Sequence, residues 1–128
     1  MNILIEISIG EFLDKLSILK IKLEKILDED KKINVAKEHE LYAEQIKMID
    51  CPDTEVEGFL EKLKKINLTL WEIEDQIRSK ENKNEFDEEF IALARSVYRS
   101  NDLRAKIKRQ VNEQLKSGII EEKSYKNY

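Results

Sequence analysis

Ile3, Ile5, Ile7 and Ile9 alternate with Leu4, Glu6 and Ser8, and this period of two predicts a short strand or extended arm over residues 1–9, ended by Gly10. The period then changes. Phe12, Leu16, Leu19, Leu23 and Ile26 step by four and three along one face, which predicts a helix over residues 11–27. Asp28, Glu29, Asp30, Lys31 and Lys32 read as a charged break. Val35, His39, Tyr42, Ile46 and Ile49 then predict a second helix over 34–49, with Asn34 as its N-cap.

Pro52 marks the clearest boundary, because proline cannot continue a preceding helix and restricts the residue before it. Thr54 followed by Glu57 reads as a capping box for a third helix over 55–80. Its apolar positions Phe59, Leu63, Ile66, Leu70, Ile73 and Ile77 form the most regular seam in the chain. Asn82, Lys83 and Asn84 break that seam. Asp87 then caps a fourth helix over 87–117, with Phe86 placed as a hydrophobic staple and Gly118 as its stop. The expected architecture is all-α, an antiparallel bundle of about four helices within one domain, residues 1–128. Residues 118–128 form a tail. Ile119 and Ile120 would let this tail pair with the N-terminal arm, since each segment alone leaves isoleucines in water.

Composition narrows the class rather than the function. Three glycines and one proline in 128 residues leave too few turn residues for an all-β sandwich, and 39% charged residues suit an amphipathic helical protein. The formal net charge of -4 weighs against nucleic acid and anionic membranes as partners of the whole domain. The Ile3 to Ile9 stretch is interrupted by Glu6 and lacks a basic flank, which is the pattern of neither a signal peptide nor a membrane span. A single cysteine, Cys51, permits no intrachain disulfide and no multi-thiolate metal site. The expected location is the cytoplasm.

Four segments carry a resemblance: EISIGEFLDKLSILKIK from Glu6, LWEIEDQIR from Leu70, VYRSNDLRAKIKRQVN from Val97 and EEKSY from Glu121. Together they resemble an uncharacterised family of short bacterial and phage proteins, a domain of unknown function. The resemblance spans nearly the whole chain. It implies a helical domain and carries no activity.

At 100° per residue, Phe90, Leu93, Val97, Val111 and Leu115 share one sector of the fourth helix, and Asn101, Arg104 and Lys108 fall in the same sector. Polar groups on a core-facing stripe must be paired or hydrated. Lys15 and Lys22 lie about 40° and 60° from Leu19 on the first helix, flanking its apolar stripe. Four cations, Lys15, Lys22, Arg104 and Lys108, are thus candidates for an inter-helix anion site. Asn101 would support them, with Glu74 available as a counter-charge. The competing reading is structural, with the side chains snorkelling or paired to carboxylates of the bundle.

Other constellations are weaker. Arg95, Arg99, Lys106 and Arg109 form a basic stripe on the opposite side of the fourth helix, but no aromatic residues interleave with it. His39, the only histidine, lies on an apolar stripe and has the pattern of a structural residue. Trp71, beside the third-helix seam, reads as a packed or partner-covered aromatic. Glu40, Glu44, Glu72 and Asp75 have poor spacing for a magnesium site, and Glu72 and Asp75 point away from the seam.

No nucleophile and base pair, thiol cluster or phosphate-cradling glycine loop emerges, so no catalytic residue, metal or cofactor is assigned. The sequence is read first as a non-enzymatic helical interaction or assembly module, a homodimer. The first helix carries a wider apolar arc than one neighbour would cover. The alternative is a small protein that binds or transforms an anionic metabolite, a carboxylate or a phosphate, at Lys15, Lys22, Arg104 and Lys108.

Overall fold

A computed structural model describes all residues from 1 to 128. Helices α1 (Ile9–Lys25), α2 (Glu29–Gln45), α3 (Asp53–Asn82) and α4 (Glu88–Gln114), with a 3-10 turn at Ile46–Met48, make the chain 73% helical, and there is no strand. No helix is long and apolar enough to cross a membrane.

The helix ends show what local chemistry decides. Ser8 caps α1 by accepting from the Glu11 N–H at 3.0 Å, so the helix begins two residues before the expected Glu11 and takes Gly10 into its first turn. Asp28 caps α2 by accepting from the Lys31 N–H at 2.9 Å. Glu29 and Asp30 then lie at the positive end of the helix dipole, where carboxylates are favourable. The charged run is therefore a helix start rather than a break, and Asn34 lies inside the helix. The Thr54 capping box does not form: α3 begins at Asp53, directly after Pro52, with no side-chain cap. Proline's restricted φ suits that entry.

Asp87 caps α4 as expected, accepting from the Phe90 N–H at 3.0 Å, and Phe86 meets Phe90 edge to face at 5.2 Å. The end of α4 differs from expectation. Leu115 closes the helix and Lys116 takes the left-handed conformation with φ 56°, so the reversal precedes Gly118. The short turn between α3 and α4 is braced by Lys80, whose ammonium meets Glu85, Asp87 and Glu89 at 2.9–3.2 Å. Hydrogen bonds to Asp87 and Glu89 hold that ammonium above its ordinary pKa.

Helix α1 is central. It packs on α2, α3 and α4, and α3 packs on α4, whereas α2 meets only α1 and the 3-10 turn that follows it. Leu13, Val56, Phe59, Leu63 and Val111 form the core cluster, joining α1, α3 and α4. The seam of α3 is spent here, inside the chain. The broad apolar arc of α1 is likewise covered by its own chain: Leu13, Leu16, Leu19 and Ile21 are all buried. The sequence argument compared that arc with a single neighbour, and the fold supplies three. On α2 only Val35 is buried. Tyr42 reaches α1 by stacking on Phe12 with ring centroids 5.1 Å apart.

The arm and the tail leave the bundle side by side. Ser117 Oγ accepts from the Ile9 N–H at 3.1 Å and donates to the Ile119 carbonyl at 2.7 Å, so one hydroxyl pins both roots. Beyond that anchor they do not pair, and no backbone hydrogen bond links residues 1–8 to residues 118–128. The tail turns instead along α4, where its charged side chains find partners.

Candidate functional site

At the end of the bundle where α1 begins and α4 finishes, the helices approach closely enough to exclude a side chain. Gly10 donates its backbone N–H to Asn112 Oδ1 at 2.6 Å. A Cβ at Gly10 would stand 2.6 Å from the Lys108 carbonyl oxygen and 2.8 Å from Asn112 Oδ1. This is the close backbone approach that only glycine permits. It sets α1 and α4 antiparallel, with Gly10 opposite Asn112 and Asp14 opposite Arg104.

One turn further along α1, Asp14 is 1% exposed among leucines. A carboxylate there requires partners in place. Arg104 supplies a side-on fork: Nε lies 3.0 and 3.2 Å from the two carboxylate oxygens, and Nη2 bonds Oδ2. Asn67 of α3 donates to Asp14 Oδ1 and to Ser17 Oγ, both at 2.8 Å, while Ser17 donates to the Asp14 carbonyl at 2.7 Å. Three helices therefore meet at one buried carboxylate, and no buried side-chain nitrogen or oxygen lacks a partner. The hydrogen bond to Asp14 holds the Arg104 guanidinium above its already high pKa.

Lys108, one turn beyond Arg104, is surrounded by acids. It bonds Glu11, lies 3.6 Å from Glu121 of the tail and stands 4.0 Å from Asp14 Oδ2. The tail continues these pairings along α4. Glu122 accepts from Arg109 Nη1 at 2.9 Å, while Lys123 and the Tyr128 hydroxyl donate to Asp102 at 2.7 and 2.8 Å. Tyr98 and Tyr128 meet edge to face at 5.1 Å. Hydrogen bonds from Lys123 and Tyr128 hold the Asp102 carboxyl below its ordinary pKa, and the bond to Asp102 raises the Tyr128 phenol. Every residue from Gly118 onward is exposed, so polar contacts rather than buried side chains fix the tail.

Two adjoining clefts lie between α4 and this tail, of about 710 and 470 Å³, and both include Asp102, Lys108, Lys123 and Tyr125 in their walls. Arg104 and Asn101 line the smaller, and Glu11, Asn112, Glu121 and Glu122 line the larger.

The expected cation cluster is thus half assembled. Arg104, Lys108 and Asn101 come together, but Lys15 turns to Glu38 of α2 at 3.7 Å and Lys22 lines neither cleft. Glu74 is not their counter-charge. It pairs with Arg78 one turn away on its own helix at 3.2 Å. Asp14 and Glu11 take that role, and Asp14 was readable as a candidate. Asp14, Ser17 and Ile21 fall on one stripe of α1, and Asn67 stands four residues after Leu63 on the seam of α3.

The basic stripe of α4 is divided. Arg109 pairs with Glu113 and Glu122, whereas Arg95, Arg99 and Lys106 are exposed. His39 and Trp71 are half-buried. Glu40, Glu44, Glu72 and Asp75 are all exposed, and no three acidic, histidine or cysteine side chains stand close enough together to hold a metal ion. Burial, then the hydrogen bond to Glu55, pushes the Cys51 thiol pKa up to about 11, which keeps it protonated at neutral pH.

Residues 3–128 match the model described as Family of unknown function (DUF6165), and the chain belongs to that family. Among curated proteins and solved structures, nothing matches.

Proposed function

We propose that this member of a family of unknown function is a self-associating helical interaction module, joined to a second copy of itself through the N-terminal arm. The observation that carries this reading is the arm's exposure: Ile3 is 88%, Leu4 97% and Ile5 82% exposed. Alternating isoleucines have high strand propensity, and an extended segment presents unpaired N–H and C=O groups to any edge that can take them.

This chain has no strand to offer, so the arm's natural complement is the same arm of a second molecule. Two copies about a two-fold axis place identical segments antiparallel, the usual isologous arrangement of dimers. The root is fixed by the Ser8 cap and by Ser117, which gives the arm a defined direction of exit. Ile119 and Ile120 emerge beside that root and widen the apolar surface available to the partner. An isolated two-stranded ribbon is marginal in water, so these flanking isoleucines are part of the proposal. A free Cys51 fits a reducing compartment, and the cytoplasm is the proposed location.

Light scattering on the full chain and on an Ile3→Asp/Ile5→Asp variant tests the reading. Both positions stand outside the bundle core, so the variant should keep the helical circular dichroism of the parent. The expected result is a dimer for the parent at tens of micromolar and a monomer for the variant. A monomeric parent at that concentration would overturn the assignment.

A further inference from the structure

Arg104 is only partly used by the fold. Its guanidinium has five N–H groups, and Asp14 engages Nε and Nη2. The Nη1 edge makes no hydrogen bond within the chain, and Arg104 lines the 470 Å³ cleft. Asn101, also in that wall, makes no side-chain hydrogen bond, nor do the hydroxyls of Tyr98 and Tyr125. A buried carboxylate that takes one side of an arginine restricts its orientation, so the remaining edge is presented with little further loss of side-chain freedom.

Lys108 adds a second donor in the same wall, and there the fold already shows what the cleft tolerates. Glu121, which lines the adjoining 710 Å³ cleft together with Glu11, brings a carboxylate within 3.6 Å of Lys108 although Lys108 already meets Glu11 and Asp14. Each cation lining the smaller cleft already has a carboxylate partner, Arg104 in Asp14, Lys108 in Glu11 and Lys123 in Asp102. Bringing an external oxyanion to Lys108 while Glu121 leaves would therefore move little net charge. The tail that carries Glu121 buries no side chain, so polar contacts alone hold Glu121 beside Lys108.

We infer that the cleft between α4 and the C-terminal tail is a binding site for a small organic oxyanion, with Arg104 Nη1, Lys108 and Asn101 as ligands and Glu121 as its in-chain surrogate. Tyr98 and Tyr125 in the same wall suit a flat group attached to the oxyanion, by stacking or by hydrogen bonding from their hydroxyls. The shared chemistry is that of a phosphate or a carboxylate. The site is independent of the arm and does not rest on self-association.

The test is titration of the 15N-labelled full chain with phenyl phosphate, benzoate and inorganic phosphate, each against sodium chloride at matched ionic strength. Saturable shifts centred on Asn101, Arg104, Lys108 and Tyr125 are expected, tighter for the aryl ligands than for inorganic phosphate. A preference for phenyl phosphate over benzoate would identify phosphate as the natural group, and the reverse preference a carboxylate. Asn101→Ala, which removes no hydrogen bond of the fold, should weaken binding several-fold. Glu121→Gln, which removes the competing carboxylate, should tighten it by about two- to five-fold. Shifts reproduced by chloride alone would mean that salt merely screens the tail, and would overturn the inference. So would equal affinities of the parent and both variants, or no saturable shift with any of the three ligands.

Discussion

Gly10 and Asn112 meet with the Gly10 N–H directed at the Asn112 side-chain oxygen, and this contact leaves no room for a β-carbon between α1 and α4. Gly10→Ala should therefore destabilise the fold by about 1–3 kcal/mol, because the Lys108 carbonyl it would strike is backbone and cannot swing aside. Gly58, inside α3, has open space where a Cβ would go, and Gly58→Ala should stabilise by roughly 0.5–1 kcal/mol through helix propensity. Urea unfolding of the two variants checks both signs.

Removing one member of the buried pair should cost more than the pair itself contributes. Arg104→Met leaves Asp14 dehydrated without its main counter-charge, and a loss of about 3–5 kcal/mol is expected. Adding Asp14→Leu to that variant removes the stranded charge and should recover a substantial part of the loss. A double-mutant cycle measured by chemical denaturation reads the coupling directly.

Acid should release the tail. Since Lys123 and Tyr128 hold the Asp102 pKa below its ordinary value, their contacts are fully present above the ordinary aspartate range and are lost as pH falls through the lowered value. The proton contact between the Tyr98 and Tyr128 rings should persist at pH 5 and vanish in stronger acid. Asp102→Asn should loosen the same contact at neutral pH. Two-dimensional proton spectra of parent and variant follow both.

Helix α2 should open before the others. It buries Val35 alone and packs against α1 without touching α3 or α4, so little apolar surface opposes its detachment. Amide hydrogen exchange in α2 is expected to be the fastest among the four helices, with Leu13, Leu63 and Val111 among the slowest positions.

Periodicity located the helices and most of their buried faces, because an apolar stripe is a local property of the chain. The seam from Phe59 to Ile77 needed no partner to be visible. What the chain could not disclose locally was which polar residue faces which. Helix rotation placed Arg104 and Lys108 correctly on the inner side of α4, but rotation of each helix separately could not tell Glu74 from Asp14 as the counter-charge. That choice depends on the Gly10 contact, which sets the register of α1 against α4. The cap of α2 was misplaced because Asp28, read as part of a charged break, accepts from a helix N-terminus as readily as Asn34 would.

The distance along the chain between Asp14 and Arg104 bears on how the protein is made. During synthesis Asn67 follows Asp14 by 53 residues and Arg104 follows it by 90. Throughout that interval α1 can gather α2 and α3 but lacks α4, whose Arg104 neutralises its buried carboxylate. The nascent N-terminal helix must stay solvated, or shielded by chaperones, until α4 emerges. Folding is thereby tied to completion of the last helix, and a product truncated within α4 before Arg104 should be recognised and degraded rather than accumulate as a stable fragment.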